Sequence, residues 1–559
     1  MQKTCRQCSA PFEVASEDLV FYEKVSPVFN GKKELIPPPT LCPDCRMQRR
    51  LAFRNEKSLY HRKCDLTGRQ IISMYRPDGG YRVFEKKEWF SDKWDALEFG
   101  REIDWQRSFL DQFKELQRTV PRMSIIQQGT MINSDFCNCA SNDKNCFLIS
   151  GNFNEDCFFG KCNNCRSSLD CENIYRSELC YECIDCFDCY GCSWASECHN
   201  CSACHFCKSC IGCSECILCT NLHQKKFCIM NEQLSEETYH QRMNELKLSK
   251  YSVQSALRGR FAELKSEMIV KEMFGTQNEH STGNNLNHCR NVRECYDCRD
   301  LEDGAYSQTV MESRDCMDFS FFGKGVELIY EVMTCGYACQ RILFCVDCWE
   351  NCSDLLYCAL CIGGCKSLFG CVGLRHKEYC ILNRQYTKEE YEHLVPKIIG
   401  KMRRDGEWGE FFPFPFSTFA YNETLAQIYF PLDKSSAESR GFTWADAESQ
   451  QEHYLGPAYE IPDDSVDATD ELTKQILRCS VTGRHYKIIP QEMKLYRQLN
   501  IPIPRKCPDQ RYRERMALRN PYRLWNRQCA KCQKGVATSY QPSRPEIVYC
   551  ESCYLSTVY

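Results

Sequence analysis

No stretch of this 559-residue chain approaches the ~18 apolar residues of a membrane span. Its opening, MQKTCRQCSAPFEVASEDLV, lacks the apolar stretch of a secretory leader and enters a Cys-x-x-Cys motif almost at once. Also missing are a P-loop, G-x-S-x-G, H-E-x-x-H and any G-x-G-x-x-G opening a helix. No isolated Cys/His pair offers a nucleophile with its base. These absences argue against a membrane protein and leave enzymatic chemistry without a motif to carry it. The expectation is a cytoplasmic, non-enzymatic chain, in a compartment where thiols stay reduced and cysteine pairs more often mean metal than disulfide.

What is abundant is cysteine: 46 residues, a density more usual in small secreted scaffolds. The net charge of −4 is unevenly spread, with +5 on residues 1–63, +10 on 479–559 and −19 on 64–478. Basic ends around an acidic middle suit either a polyanion meeting the ends or pairing of the ends with the middle inside the folded chain.

The first module is Cys5-x-x-Cys8, thirty-three residues, then Cys42-Pro-Asp-Cys45. The last is Cys529-x-x-Cys532, seventeen residues, then Cys550-x-x-Cys553. Two knuckles converging across a loop satisfy tetrahedral zinc with four thiolates and leave no open position for water, so two structural zinc sites are expected. A slide of 465 residues superposes the two ends: Cys42-Pro-Asp on Cys507-Pro-Asp, Leu59 on Leu524 and Cys64 on Cys529. Each end is therefore two knuckle modules joined by an arginine-rich segment. The inner modules are degenerate, with Cys64, Thr67, Glu85 and Glu88 in one and Cys479, Thr482, Cys507 and Gln510 in the other. The same slide matches Arg46, Arg50 and Arg54 to Arg511, Arg515 and Arg519. Four apart on a helix, each trio shares one face that suits phosphate contacts, or a solvated or internally paired face.

From Cys180 to Cys219 a cysteine stands at every third position except Ala195. A flat strand would send alternate thiols to opposite faces, and a helix would spiral them around every side. A narrow coil of short strands and corners keeps them together, with Asn, Asp, Ser and Gly suited to the corners. An offset of 152 aligns Cys213, Cys219, Leu222, Cys228, Asn231, Gln233 and Tyr239 with Cys365, Cys371, Leu374, Cys380, Asn383, Gln385 and Tyr391, so the coil field is duplicated. Each copy ends in a helix for which Ser235 and Thr387 are natural N-caps, with Glu390 as capping-box partner in the second.

The expected architecture is a multidomain α+β chain: a duplicated, cysteine-laddered parallel β-solenoid (β-helix-like), flanked at both ends by zinc-ribbon or treble-clef-like modules, with capping helices. Its boundaries run 1–63 and 64–90 for the first two modules, and 91–130 for amphipathic helix with Trp105, Phe109, Phe113 and Leu116 on one side, read as a lid on the start of the first solenoid. Solenoids follow at 131–234 and 276–386, helices at 235–275 and 387–405, a Pro/aromatic strap and acidic linker at 406–478, and the last modules at 479–528 and 529–559. The field cysteines fit three uses: a buried thiol ladder, a multi-metal store, or redox or iron–sulfur chemistry.

CPDCRMQRRLAFRNEKSLYHRKC, CILNRQYTKEEY, YNET and ALRNPYRLWNRQCAKC with VYCESCY resemble a group of cysteine-rich proteins of genome-reduced candidate-phylum bacteria. The resemblance covers nearly the whole chain and implies zinc-ribbon ends and a β-helical middle. Some of those proteins carry a CoA-transferase label, which no motif in this sequence supports. Some keep a Cys-x-x-Cys pair where this chain has Cys64 and Thr67. The functional expectation is a zinc-stabilised scaffold that binds a macromolecule, with nucleic acid meeting Arg46, Arg50, Arg54, Arg511, Arg515 and Arg519. Its competitor is a metal-storage or thiol-redox protein acting through the coil fields.

Overall fold

The computed structural model describes residues 1–337, 339–446 and 459–558. The part of the expected strap and linker at 447–458 lies outside them. The chain divides into two compact units, each built from distant segments: 1–125, 275–445 and 522–524 in the first, and 126–274, 446–521 and 525–559 in the second. The N-terminal modules thus share a unit with the second coil field, and the C-terminal modules with the first.

Both fields pair with themselves in parallel, residue beside residue one circuit on. In the first, Tyr181 bridges Ser193, Ile184 bridges Ser196, Phe187 bridges His199 and Tyr190 bridges Ser202, which makes four bridges per twelve residues. Each three-residue side follows one rule. Its first N–H donates forward (Tyr181 N to Cys192 O, 3.0 Å), and its second donates back (Glu182 N to Leu169 O, 3.1 Å). The third residue turns inward, and Cys183, Cys186, Cys198, Cys204 and Cys207 are wholly buried.

The residue before each inward one is left-handed, with φ of 48° at Glu182, 52° at Asp185 and 55° at Asp188. That conformation costs an ordinary L-residue about 1–2 kcal/mol, offset here by the two ladder bonds on each side. Corner residues are not confined to Asn, Asp, Ser and Gly as expected: Leu179, Trp194, Phe206 and Leu218 adopt the same φ. Trp194, Phe206 and Leu218 are buried, because helices cover that face.

Circuit length varies. Phe147 pairs with Phe158 and Tyr181 with Ser193, whereas Glu327 pairs with Gln340, giving circuits of 11, 12 and 13 residues. The thirteen-residue circuits carry one four-residue side, which explains the wider spacings Cys335–Cys339, Cys348–Cys352 and Cys361–Cys365. Both fields close on an antiparallel hairpin, Lys226–Ile229 with Glu232–Gln233 and Glu378–Ile381 with Arg384–Gln385. In the hairpin turns, Asn231 grips both backbone groups of Thr220 (2.9 and 3.1 Å) and Asn383 those of Val372 (2.8 and 2.8 Å). The two asparagines satisfy an edge that would otherwise be open.

The helices Glu236–Leu246 and Lys388–Asp405 begin at Ser235 and Thr387, the latter with its Glu390 capping box. The amphipathic helix is shorter than expected, Phe109–Thr119, and packs elsewhere. Phe109 lies against Phe369 (5.0 Å between centroids) and above Gly370, whose missing Cβ would meet the Phe109 ring at 2.4 Å. It therefore covers the late circuits of the second field. Trp105 precedes the helix and is exposed, so the apolar stripe begins at Phe109. The strap is buried as expected through Phe411, Phe412, Phe416 and Phe419, with Phe412 stacked on Phe113 at 4.8 Å.

Candidate metal centres and the arginine helices

Four knuckles share one backbone design. In each, the leading cysteine's N–H donates to the residue five on, and the residue four on donates back: Cys5/Ala10 and Ser9, Cys64/Arg69 and Gly68, Cys479/Arg484 and Gly483, Cys529/Lys534 and Gln533. Ser9, Gly68, Gly483 and Gln533 are all left-handed at φ 60–71°. The fold of the knuckle is therefore independent of how many thiols it holds.

Only the outer two modules carry full ligand sets among the described residues. Cys5, Cys8, Cys42 and Cys45 bring four sulfurs within 4.8 Å of one another, as do Cys529, Cys532, Cys550 and Cys553. The Cys8–Cys42 and Cys532–Cys550 sulfurs lie 3.7 Å apart. A tetrahedral ion with metal–sulfur bonds of about 2.3 Å needs sulfur–sulfur edges of about 3.8 Å, close to the 3.7 Å edge in each set, so each set could hold one ion. Cys42 caps the helix Pro43–Leu51 with Pro43 at its first position. Positive helix N-termini favour thiolates. A hydrogen bond from Cys45, foremost, brings the Cys42 thiol down to about 5.

The arginines lie elsewhere than expected. Arg46 and Arg50, 1% and 0% exposed, converge on one carboxylate: Arg46 Nε and Arg50 Nη1 each lie 2.8 Å from Asp318. Arg50 also donates to Ser320 Oγ and to the Tyr306 carbonyl. Arg49 pairs with Glu331 at 2.6 Å and Glu410 at 3.2 Å. Arg54, past the end of the helix, reaches Glu56 and Thr334 and lies over the Phe321 ring. In the other unit Arg511 and Arg515 converge on Asp170 at 3.0 and 2.6 Å, and Arg519 pairs with Asp185 at 3.0 Å. The six arginines expected to meet phosphate thus face carboxylates and carbonyls of their own unit, and those on the two helices are buried. A guanidinium buried and ion-paired in this way is out of reach of a backbone phosphate.

The partners Asp170, Asp318 and Glu331, and Arg49 itself, were not foreseen, although a signal exists. Asp170, Glu182, Trp194, Phe206 and Leu218 run up one face at twelve-residue steps, and Asp318, Glu331, Phe344, Tyr357 and Gly370 at thirteen. All ten are left-handed corners. The offset between the rows drifts from 148 to 152, one residue per circuit, so a fixed slide recovers only the last pair.

The inward thiols are neither exposed nor grouped for metal. Among the described residues, the sets that could hold a metal ion are those of the two outer modules, and no disulfide is present. Cys183 lies 3.6 Å from the Tyr181 carbonyl and 3.3 Å from that of Cys192. Where serine takes the inward position, its hydroxyl accepts an N–H from one circuit on: Ser168 from Cys180 (3.2 Å) and Ser177 from Cys189 (3.1 Å). Cys219 Sγ accepts from Asn231 N at 3.4 Å in the same way. Cysteine and serine at the interior position thus serve as small side chains that both donate and accept, while Ile149, Ile174, Ala195, Leu301 and Leu355 fill the same position with apolar groups. Burial pushes the Cys289 thiol up to about 11 and Cys137 up to about 12, so these remain protonated at neutral pH.

No helix among the described residues is long and apolar enough to cross a membrane. Compared with protein families, curated proteins and solved structures, the chain matches none.

Proposed function

We propose that this chain is a non-enzymatic, zinc-stabilised scaffold: two cysteine-laddered parallel β-solenoids, each fastened to a pair of zinc-ribbon or treble-clef-like modules. The observation that carries this reading is the repeated clamp, Arg46/Arg50 on Asp318 and Arg511/Arg515 on Asp170, which spends both arginine helices on internal docking. Zinc suits the two four-cysteine sets because four thiolates at tetrahedral edge lengths leave no site for water or substrate. A reducing, cytoplasmic setting suits interior thiols that are buried and form no disulfide. Partners of such a scaffold are other macromolecules, met on surfaces other than the arginine helices.

The test is metal and thiol content per chain on anaerobically purified protein. Two zinc ions, with the thirty-eight cysteines outside the two sets titrating as free thiols after denaturation, are expected. Many metal ions, or iron with sulfide, would overturn the scaffold reading and make the solenoids the functional site.

A further inference from the structure

The inner C-terminal module keeps the knuckle and loses the metal set. Thr482 stands where the first module has Cys8, and its Oγ1 lies 3.8 Å from Cys507 Sγ, matching the 3.7 Å from Cys8 to Cys42. Gln510 replaces the fourth cysteine. Two thiols and a hydroxyl thus keep their corners, while the Gln510 amide turns to Glu514 Oε1 at 3.0 Å.

The donors that would steady a metal-bound thiolate remain. Cys479 Sγ accepts the Thr482 N–H at 3.5 Å. Burial works to raise this thiol, but the Thr482 hydroxyl and amide, with the Cys507 and Val481 amides, outweigh it and bring it down to about 7. Cys507 moves the other way, raised chiefly by burial. One thiol is thus prepared to attack and its neighbour to stay protonated until needed. Cover is thin: both are buried, but Ser480 and Val481 of the overlying turn are exposed. The inner N-terminal module provides a contrast. Cys64 Sγ accepts the Glu85 N–H at 3.3 Å, yet Glu85 and Glu88 fill the corners where a second thiol would sit.

We propose that the inner C-terminal module is a redox-active dithiol that exchanges with low-molecular-weight disulfides, Cys479 acting as nucleophile and Cys507 as resolving thiol. The Cys479 thiolate attacks one sulfur of the external disulfide, forming a mixed disulfide and expelling one thiolate. Cys507 then gives up its proton and attacks Cys479 sulfur, closing the intramolecular disulfide and expelling the second thiolate. The protein loses two hydrogens and the external disulfide becomes two thiols. Thr482 is a positioning residue, holding the attacking sulfur through its hydroxyl and amide.

The proposal rests on the two-metal reading, and a metal count separates the two failures. The metal-replete full chain is incubated with oxidised glutathione, quenched by alkylation and mapped by peptide mass spectrometry. The Cys479–Cys507 disulfide should form about tenfold faster than modification of any thiol outside the metal sets, since an ordinary thiol is only a few per cent ionised at neutral pH. C507S should halt at glutathione on Cys479, T482V should slow the reaction severalfold, and T482S should restore it. The assignment is overturned if the pair stays reduced while other thiols react, if T482S is as slow as T482V, or if a third metal ion per chain is bound by Cys479 and Cys507. The wild-type time course decides the matter even if a variant fails to fold.

Discussion

The two units solve one problem with different hardware. Each lays two arginines of one helix over an aspartate at a left-handed corner, Asp318 in one unit and Asp170 in the other. Beyond that corner they diverge. Glu331 takes Arg49 from the same helix, whereas Glu182, the next corner after Asp170, takes Arg258 from the helix Tyr251–Ser266. Arg49 corresponds to Glu514 at the other end, so the second unit had to find its cation elsewhere. The metal sets differ too. Cys42 and Cys45 cap and open the clamp helix of the first unit, while the clamp helix Pro508–Leu518 of the second begins at Cys507 and Gln510 with no metal set. Two arginines meeting one buried carboxylate are common to both units; metal at the root of the helix is not.

The comparison can be broken most forcefully at its common feature. Asp318→Ala or Asp170→Ala removes the carboxylate that two buried guanidinium groups share, a loss of about 3–5 kcal/mol in each case. Limited proteolysis should cut the clamp helix of the altered unit at a lower urea concentration than in the wild type. Unchanged urea midpoints in both variants would overturn the clamp.

Metal removal should separate the units next. A strong thiol-competitive chelator should expose the helix Pro43–Leu51 to protease, whereas in the second unit only the terminal module, residues 525–558, should become cleavable. Cleavage within Pro508–Leu518 after chelation would contradict the assignment of metal to the outer modules.

A smaller effect tests the interior that both units share. Cys198→Ser keeps a donor and an acceptor and should cost about 1 kcal/mol or less, while Cys198→Val should cost about 2–3 kcal/mol by overpacking and by leaving polar groups unanswered. Cys358, in a thirteen-residue circuit, should repeat the order. Valine tolerated as well as serine, in calorimetric midpoints, would remove the hydrogen-bonding account of the thiols.

The smallest expected effect is on pH. Asp143, an inward residue of the second unit, is raised to about 7 by burial against the opposing hydrogen bonds of Asn154, and Asp347 of the first unit to about 6 by burial against Arg54. A carboxyl whose folded value exceeds its unfolded value near 4 loses stability as pH rises from the unfolded towards the folded value. Asp143 should therefore cost the second unit about 1 kcal/mol between pH 6 and 8, with most of the Asp347 loss already complete. Asp143→Asn should flatten that slope in urea midpoints. An unchanged slope would exclude Asp143 as its source.

Much of this arrangement was legible in the residues. One inward residue per side writes itself as cysteine every third position, and the thiol sets of Cys5 and Cys529 state their geometry in their spacing. The closing hairpins could be aligned because Asn231 and Asn383 do the same work after circuits of nearly equal length. The corner rows were hidden, since one extra residue per circuit in the second field shifts Asp318 out of step with Asp170. The arginine faces were ambiguous for a physical reason: a guanidinium pair four residues apart fits a carboxylate as well as a phosphate, and only the tertiary fold shows which is present. Trp105 was misplaced because apolar periodicity does not mark where the helix begins, and Ser108 supplies that start as N-cap.

The closed circuit also sets a rule for how such a gene can change length. Duplicating twelve or thirteen codons adds one storey, about 4.8 Å tall, without moving a residue from wall to interior. Inserting a single codon, as the Cys335–Cys339 side illustrates, widens one wall and leaves the other three in register. Inserting three codons instead would turn every later storey by a quarter revolution and carry Asp318 away from the arginines that hold it. Growth by whole storeys is therefore the inheritance this architecture permits most freely, and the face that carries the clamp is where its tolerance ends.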